Sequence, residues 1–484
     1  MRNIMPLRTI KIRLFFPLLA LLVALPANAR RTRGDGWNLT SDGTLIVSKN
    51  FNSSADNHRF PWDRYLSRIK SVIFTSDVTV IDWGAFWGCT SLTSVEIPSS
   101  VTEIRYFAFK YCTGLTSIEI PSSVKKIGDY AFENCTGLTS IVIPSSVTEI
   151  GYSAFEGCKG LTYIEIPSSV KKIGSWAFEG CTSLTSIVIP SSVTSIGGNI
   201  CIGCRGLESI TVDWDNEKYD SRDNCNAIIE TKTNTLISGC MNTTIPSSVM
   251  GIANAAFQGL SGLTSIRLPE KLTAIGEYAF CGCSGLTNIE IPSSVKKIGS
   301  CAFDNCTGLT SIDIPSRVTS IGYEAFRNCS GLSSVEIPSS VKEIGHAAFE
   351  GCTRLKHIKI SEQVKSIGWH TFYECSALKS IVIPEGVTSI GKGAFAWCDG
   401  LTSIVLPSSL TKLDDYALYC HNLTSVYSLA TTPPLLGNKE VFLLRTLSDV
   451  TLYVPAEALD AYKSANVWKL FGTIVGLEPS TPAP

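Results

Sequence analysis

The sequence is short of the residues that usually do chemistry. Of 484 residues, five are histidine (His58, His346, His357, His370 and His421) and four are methionine. The histidines are scattered, with no His-Glu-x-x-His or other paired spacing, so no metal ligand set is visible. No Gly-x-Ser-x-Gly elbow occurs, and the many serines fall in a repeated Pro-Ser-Ser turn. GVTSIGKG (386–393) imitates a phosphate loop but ends on Gly393 where a hydroxyl is needed. No basic tract is present, and a formal charge of −1 argues against nucleic acid as partner. These absences lead to the expectation of no enzymatic activity, no cofactor and no metal site.

Only one long apolar run exists, Leu14 to Leu25, preceded by Arg2, Arg8, Lys11 and Arg13 and followed by Ala27-Asn28-Ala29. That reads as a cleavable secretory signal, with an uncleaved anchor as the alternative, because the run is short for a membrane span. Cleavage after residue 29 would move the formal charge from −1 to −5, 37 basic against 42 acidic residues. The mature chain is expected to be exported and not to span a membrane, either secreted, on the outer surface or in the periplasm. Neither a lipobox cysteine nor a wall-sorting tail is present.

What the sequence does have is a period. An Ala-Phe pair places phenylalanine at Phe86, Phe109, Phe132, Phe155 and Phe178, then Cys201; it resumes at Phe257, Phe280, Phe303, Phe326, Phe349, Phe372 and Phe395, then Leu418. Every step within the two blocks is 23 residues, the mark of a solenoid whose units bury their apolar faces only against one another. In one unit, CTGLTSIEIPSSVKKIGDYAFENC (112–135), Ile118 and Ile120 alternate with Ser117 and Glu119 as in a half-buried strand. Pro121 follows the strand and sets up a turn; IGDYAFENC suits a tight return on the opposite wall.

LTSIEIPSSVKKIGDYAFENC resembles the leucine-rich repeat of BspA-type bacterial surface proteins, over about residues 85–428. The resemblance implies an α/β-type leucine-rich repeat solenoid, a right-handed curved coil with one parallel β-sheet and short 3₁₀ or turn segments on the other wall. It further implies protein partners, host extracellular-matrix or bacterial surface proteins, and a role in adhesion.

Eighteen cysteines in an exported chain would ordinarily mean disulfides. Twelve share one slot: Cys89, Cys112, Cys135, Cys158, Cys181, Cys204, Cys283, Cys306, Cys329, Cys352, Cys375 and Cys398. Side chains in register in a parallel ladder lie about 4.8 Å apart and point the same way, whereas a disulfide needs Cβ atoms about 3.8 Å apart on converging vectors. The column therefore reads as buried thiols, with pairing between neighbours as the alternative. Cys201-Ile202-Gly203-Cys204 has a redox spacing, yet both cysteines fall in repeat slots.

The expected organisation is a signal (1–29), an N-terminal cap with a hairpin in WNLTSDGTLIV (30–84), repeat blocks at 85–204 and 251–428, an elongated unit with an inserted hairpin near Thr231–Asn234 (205–250), a C-terminal cap with a helix opening at Pro455 (429–476), and a flexible tail (477–484). Cys225 and Cys240 are equidistant from that inserted turn, so a disulfide is sterically open to them. Asp213, Asp215, Glu217, Asp220 and Asp223 lack the order of a calcium loop and suit a solvated turn.

The exposed position between the two buried strand residues forms a second column: Glu96, Glu119, Val142, Glu165, Val188, Arg267, Glu290, Asp313, Glu336, Lys359, Val382 and Val405. It reads either as a solubilising stripe or as a partner-binding face. The aromatics Tyr106, Tyr130, Trp176 and Tyr278 shield adjacent coils or, alternatively, stack on glycans.

Overall fold

The computed structural model describes residues 32–51, 60–437 and 440–478, so the expected signal (1–29) and most of the expected tail (477–484) lie outside the described residues. Each repeat makes one coil. Its first strand, such as Ser117–Glu119, pairs in parallel and in register with Ser140–Val142 of the next coil. Ile118 and Ile120 point inward and are buried, Glu119 outward, as the alternation requires. The chain then turns at Pro-Ser-Ser. The second serine of that turn donates to the valine carbonyl of the coil before, Ser146 to Val124 at 2.6 Å and Ser340 to Val318 at 2.7 Å. The serines are therefore mortar between coils.

Beside the expected sheet runs a second parallel ladder, of two-residue strands. Lys126–Ile127, Glu149–Ile150 and Lys172–Ile173 pair in register; its outward side chains alternate in sign. Lys126 and Lys172 both reach Glu149, at 3.2 and 3.1 Å. Burial raises the Glu149 carboxyl pKa, but the two ammonium groups outweigh it and leave the pKa below its ordinary value. The glycine after this ladder is where adjacent coils come closest: a Cβ on Gly299 would lie 2.6 Å from the carbonyl carbon of Gly276.

The return wall consists of turns rather than 3₁₀ helices, and it is the most regularly bonded part of the coil. Phe107, Phe109 and Tyr111 each donate their N–H to the following coil, to Asp129, Ala131 and Glu133 at 3.0, 2.8 and 2.8 Å. The first and third of these donors lie in the left-handed region, φ 59° at Phe107 and 60° at Tyr111. Later coils repeat this at the same two slots, with Asn134, Asn305 and Asn328 or Gly157 and Gly180 in the second, the residues that tolerate positive φ best. Aromatic occupants of the first slot (Phe107, Tyr130, Trp176, Tyr278) bear about 1 kcal/mol or more of strain each.

The phenylalanines stack behind this wall, Phe109 on Phe132 at 5.4 Å and Phe303 on Phe326 at 5.4 Å, with planes 7° and 1° apart. In the cysteine slot each thiol donates to the carbonyl of the phenylalanine in the preceding coil. Sulfur–oxygen distances are 3.0–3.2 Å from Cys112 through Cys420. That carbonyl also accepts the N–H of its own coil's cysteine, as in Cys112 to Phe109 at 3.1 Å. A small, mostly apolar side chain with one weak donor fits a buried slot facing one unfilled lone pair. All eighteen cysteines are free.

The elongated unit at 205–250 is a partition. Its hairpin, Ala227–Glu230 with Thr235–Gly239, carries a bulge at Ile228/Ile229. The extra residue shifts the register by one, so Cys225 and Cys240 leave opposite faces of the hairpin and cannot meet. Cys240 and Ile228 join the apolar core of the first block, Cys225 and Ile229 that of the second. The return wall runs straight past the interruption, Gly203 N–H bonding Gln258 carbonyl at 2.9 Å.

Each end of the phenylalanine column is closed by a buried tryptophan. Trp62 lies parallel to Phe86 at 5.9 Å, and Trp468 meets Phe442 edge-on at 5.4 Å. Near the C-terminal end, Pro455 closes a strand, Thr451–Pro455, instead of opening the helix; a single 3₁₀ turn intervenes and the helix spans Leu459–Ser464. The β-run TLYV outweighs proline's preference for a first helical turn because it extends the sheet onto Ser425–Ser428.

Two outcomes follow. Burial pushes the column thiols up, Cys283, Cys352 and Cys420 to about 12 from an ordinary 9.0. A folded-state pKa above the unfolded one means stability is full below pH 9 and falls as pH rises from there through the folded values. Urea midpoints should thus be flat from pH 7 to 8.5 and drop steeply above 9, and a thiol reagent at pH 8 should find at most Cys281, the one thiol not fully buried, until the chain is denatured. Phe303→Ala should cost about 3–5 kcal/mol, read as a lower melting temperature; an unchanged melt would contradict the stacked column.

Candidate functional site

With serine, cysteine and glycine absorbed by the architecture, the strand face is the remaining candidate. The structure places all twelve column residues there; eleven are exposed and Val405 is half-buried. Register is direct where the ladder is formed: Glu119 opposite Val142, Val188 opposite Thr211, Glu336 opposite Lys359, Val382 opposite Val405.

The two ladders handle charge differently. On the second ladder of the first block Lys126, Glu149 and Lys172 alternate and pair. On the strand face, Glu96 and Glu119 occupy the same slot in consecutive coils, and so do Glu290, Asp313 and Glu336. Of these five, only Glu336 has an ion pair among the described residues, with Lys359 at 2.9 Å. Like charges in the same slot repel, by roughly 0.2–1 kcal/mol per pair when directly opposite. Among the described residues no backbone hydrogen bond links 265–268, 288–291 and 311–314 to one another, whereas the return wall behind them is fully bonded. The face carries a local electrostatic cost that the fold does not need.

Two features, one on this face and one in a turn beside it in sequence, escaped the sequence reading. The column continues past Val405 to Tyr427, Tyr453 and Val475, in register throughout; its steps there become 22, 26 and 22 residues, so counting by 23 loses it. Tyr427 and Tyr453 stack at 4.4 Å with planes 7° apart. Trp214, in the turn after strand Ser209–Val212, is 95% exposed. The available signal was a tryptophan set among Asp213, Asp215 and Glu217. Of the acidic residues around it, Asp213 accepts the Ser191 N–H at 3.1 Å and Asp220 pairs with Arg222, so the turn is held by its own contacts.

On the return wall the aromatics form their own ladder. Phe107 stacks on Trp87 and Tyr130 at 5.4 and 4.8 Å, and Tyr152 meets Tyr130 and Trp176 at 5.0 and 4.6 Å. Lys110, paired with Glu133 at 2.6 Å, lies 5.0–5.3 Å from the rings of Trp87, Phe107, Tyr111 and Tyr130. Tyr130 and Trp176 therefore have neighbours against their rings, while Tyr106 and Tyr278 are exposed. Cys201 and Cys204 are buried in the phenylalanine and cysteine slots. The Cys201 pKa is raised by its hydrogen bond with Cys204 and then by burial, the opposite of an activated redox thiol.

Parallel strands stacked coil on coil, with a regular turn wall behind them, define a leucine-rich repeat solenoid. The chain matches the BspA type leucine rich repeat region over residues 64–151, 102–226, 238–356 and 342–432, and it belongs to that family. Among solved structures, a leucine-rich repeat protein from Bacteroides ovatus ATCC 8483 is 27% identical with a TM-score of 0.53, covering 91% of this chain and 97% of that one. One from Eubacterium ventriosum ATCC 27560 is 24% identical with a TM-score of 0.49, covering 83% and 90%. The pneumococcal vaccine antigen PcpA is 18% identical with a TM-score of 0.43, covering 89% and 82%. Among curated proteins none matches the chain. Among the described residues no helix is long and apolar enough to cross a membrane.

If the acidic stack is dispensable to folding, Asp313→Ser should raise stability by about 0.2–1 kcal/mol, measured as the urea midpoint. A clear loss of stability would mean that Asp313 serves the fold.

Proposed function

We propose that the protein is an exported bacterial interaction protein that binds other proteins over its strand face, in adhesion to host matrix proteins or to other bacteria, and that it has no catalytic activity. The observation that carries this reading is a local contrast in charge: on the second ladder Glu149 is neutralised by Lys126 and Lys172, whereas on the strand face Glu96 beside Glu119 and Glu290 beside Asp313 have no ion pair among the described residues. Partner residues of opposite sign would relieve that repulsion on binding, which gives such a face specificity and a fast encounter rate. Trp214 adds an exposed aromatic of the kind that anchors protein interfaces. The glycan reading has less support, because of its four aromatics only Tyr106 and Tyr278 are exposed, while Tyr130 and Trp176 pack against neighbouring rings.

The test is binding of the full chain to immobilised matrix proteins and to whole bacteria. Saturable binding is expected, reduced at least tenfold by Glu119→Lys with Glu165→Lys and unchanged by Lys232→Glu at the tip of the inserted hairpin. Binding to glycan arrays with none to proteins, or no binding by folded protein, would overturn the proposal.

A further inference from the structure

The strand face is not uniform along its length. From Arg267 to Lys359 its column is charged at every coil; from Val382 onward it is apolar at every coil, through Val405, Tyr427, Tyr453 and Val475. Val382 is 69% exposed, although a β-branched aliphatic side chain on an open sheet face does nothing for solubility. Beside it lies a groove of about 740 Å³ with Val382, Val405, Pro407 and Leu429 in its lining and the exposed Lys359 and Glu385 at its margins. Glu385 is held in place by Ser408, which donates to it through both its N–H and its hydroxyl, at 3.1 and 2.9 Å. The stacked pair Tyr427–Tyr453 continues the apolar stripe and is rigid, which keeps the entropy cost of contact low.

We infer that this stretch, from Glu290 to Tyr453, is the docking site for one extended segment of a partner protein, basic at one end and aromatic or aliphatic at the other. The inference rests on the strand-face reading and makes it specific. Charge complementarity selects the occupant: Glu290 and Asp313 offer unpaired carboxylates to lysine or arginine, while the Glu336–Lys359 pair neutralises itself and separates them from the apolar half. A second copy of this acidic chain has no matching basic stripe in the column. Length fits as well. Glu290 to Tyr453 spans seven coil steps, about 34 Å at about 4.8 Å per step, the reach of about ten residues of extended chain at about 3.3 Å each. Such a segment would run across the strands, its apolar side chain in the groove at Val382.

The experiment is selection of a random ten-residue peptide display library on the immobilised full chain, followed by affinity measurement of the selected synthetic peptides. The expected peptides carry Lys or Arg in one half and Phe, Trp, Tyr or Leu in the other. Their affinity should fall at least tenfold with Val382→Asp and with Asp313→Lys, severalfold with the shape-conserving Val382→Thr, and severalfold between 0.05 and 0.5 M NaCl. Val382 is exposed, so the melting temperatures of both Val382 variants should match the parent. No enrichment, peptides without this polarity, or affinity untouched by both Val382 variants would overturn the inference. Dimerisation abolished by Val382→Asp would assign the stripe to a second copy and overturn it too. Loss of protein binding with Glu119→Lys and Glu165→Lys but not with Val382→Asp would leave the strand-face reading standing and remove only this site.

Discussion

The structure depends on the bonding of the return wall. Three N–H groups per coil donate forward to the next coil, and one thiol donates back to the phenylalanine carbonyl of the coil before. From that constraint the repeat follows. Two of the donors must take positive φ, which restricts their slots to glycine, asparagine or a residue whose other contacts offset the strain. The residue between them is large and apolar in all coils but that of Cys201, because its side chain is the filling of the coil. The thiol slot favours a small side chain that can donate, which cysteine does without adding a strongly polar group to a buried column, although Leu260 fills it in one coil. The period is the expression of this wall in sequence, and the invariance of its spacing within each block reflects in-register bonding that tolerates no slip.

Because the wall joins the coils, the other side of the solenoid is less constrained. Where the strand-face segments 265–268, 288–291 and 311–314 make no backbone hydrogen bonds to one another, the coils are still joined through the wall and the second ladder. Where the strand face makes no bonds between coils, it can carry Glu290 and Asp313 in a row without loosening the ladder. Stability lies on one side and surface chemistry on the other; the same division lets solenoids vary their binding surfaces without altering their fold.

The architecture was legible in the sequence to the extent that it is periodic. The phenylalanine and cysteine columns, the strand alternation around Ile118 and the Pro-Ser-Ser turn recur at a fixed spacing and needed only alignment. The second ladder was not legible, since a strand of two residues such as Lys126–Ile127 shows no alternation within itself; its logic, Glu103, Lys126, Glu149, Lys172, appears only between coils. The one-residue bulge at Ile228/Ile229 is invisible to counting from the turn, which is why Cys225 and Cys240 looked like partners. The candidate face was found where the spacing was 23 and lost where it became 22 and 26, so Tyr427 and Tyr453, the aromatic end of the stripe, were missed.

The claim that the return wall holds the coils together where the strand face is unpaired, at 265–268, 288–291 and 311–314, is tested most directly by amide hydrogen exchange on the intact chain. The account predicts that the wall donors, Phe280, Phe303 and Phe326 among them, exchange only through global unfolding, while amides of 265–268, 288–291 and 311–314 exchange orders of magnitude faster. Uniform protection of the strand-face amides together with fast exchange at the wall would contradict it.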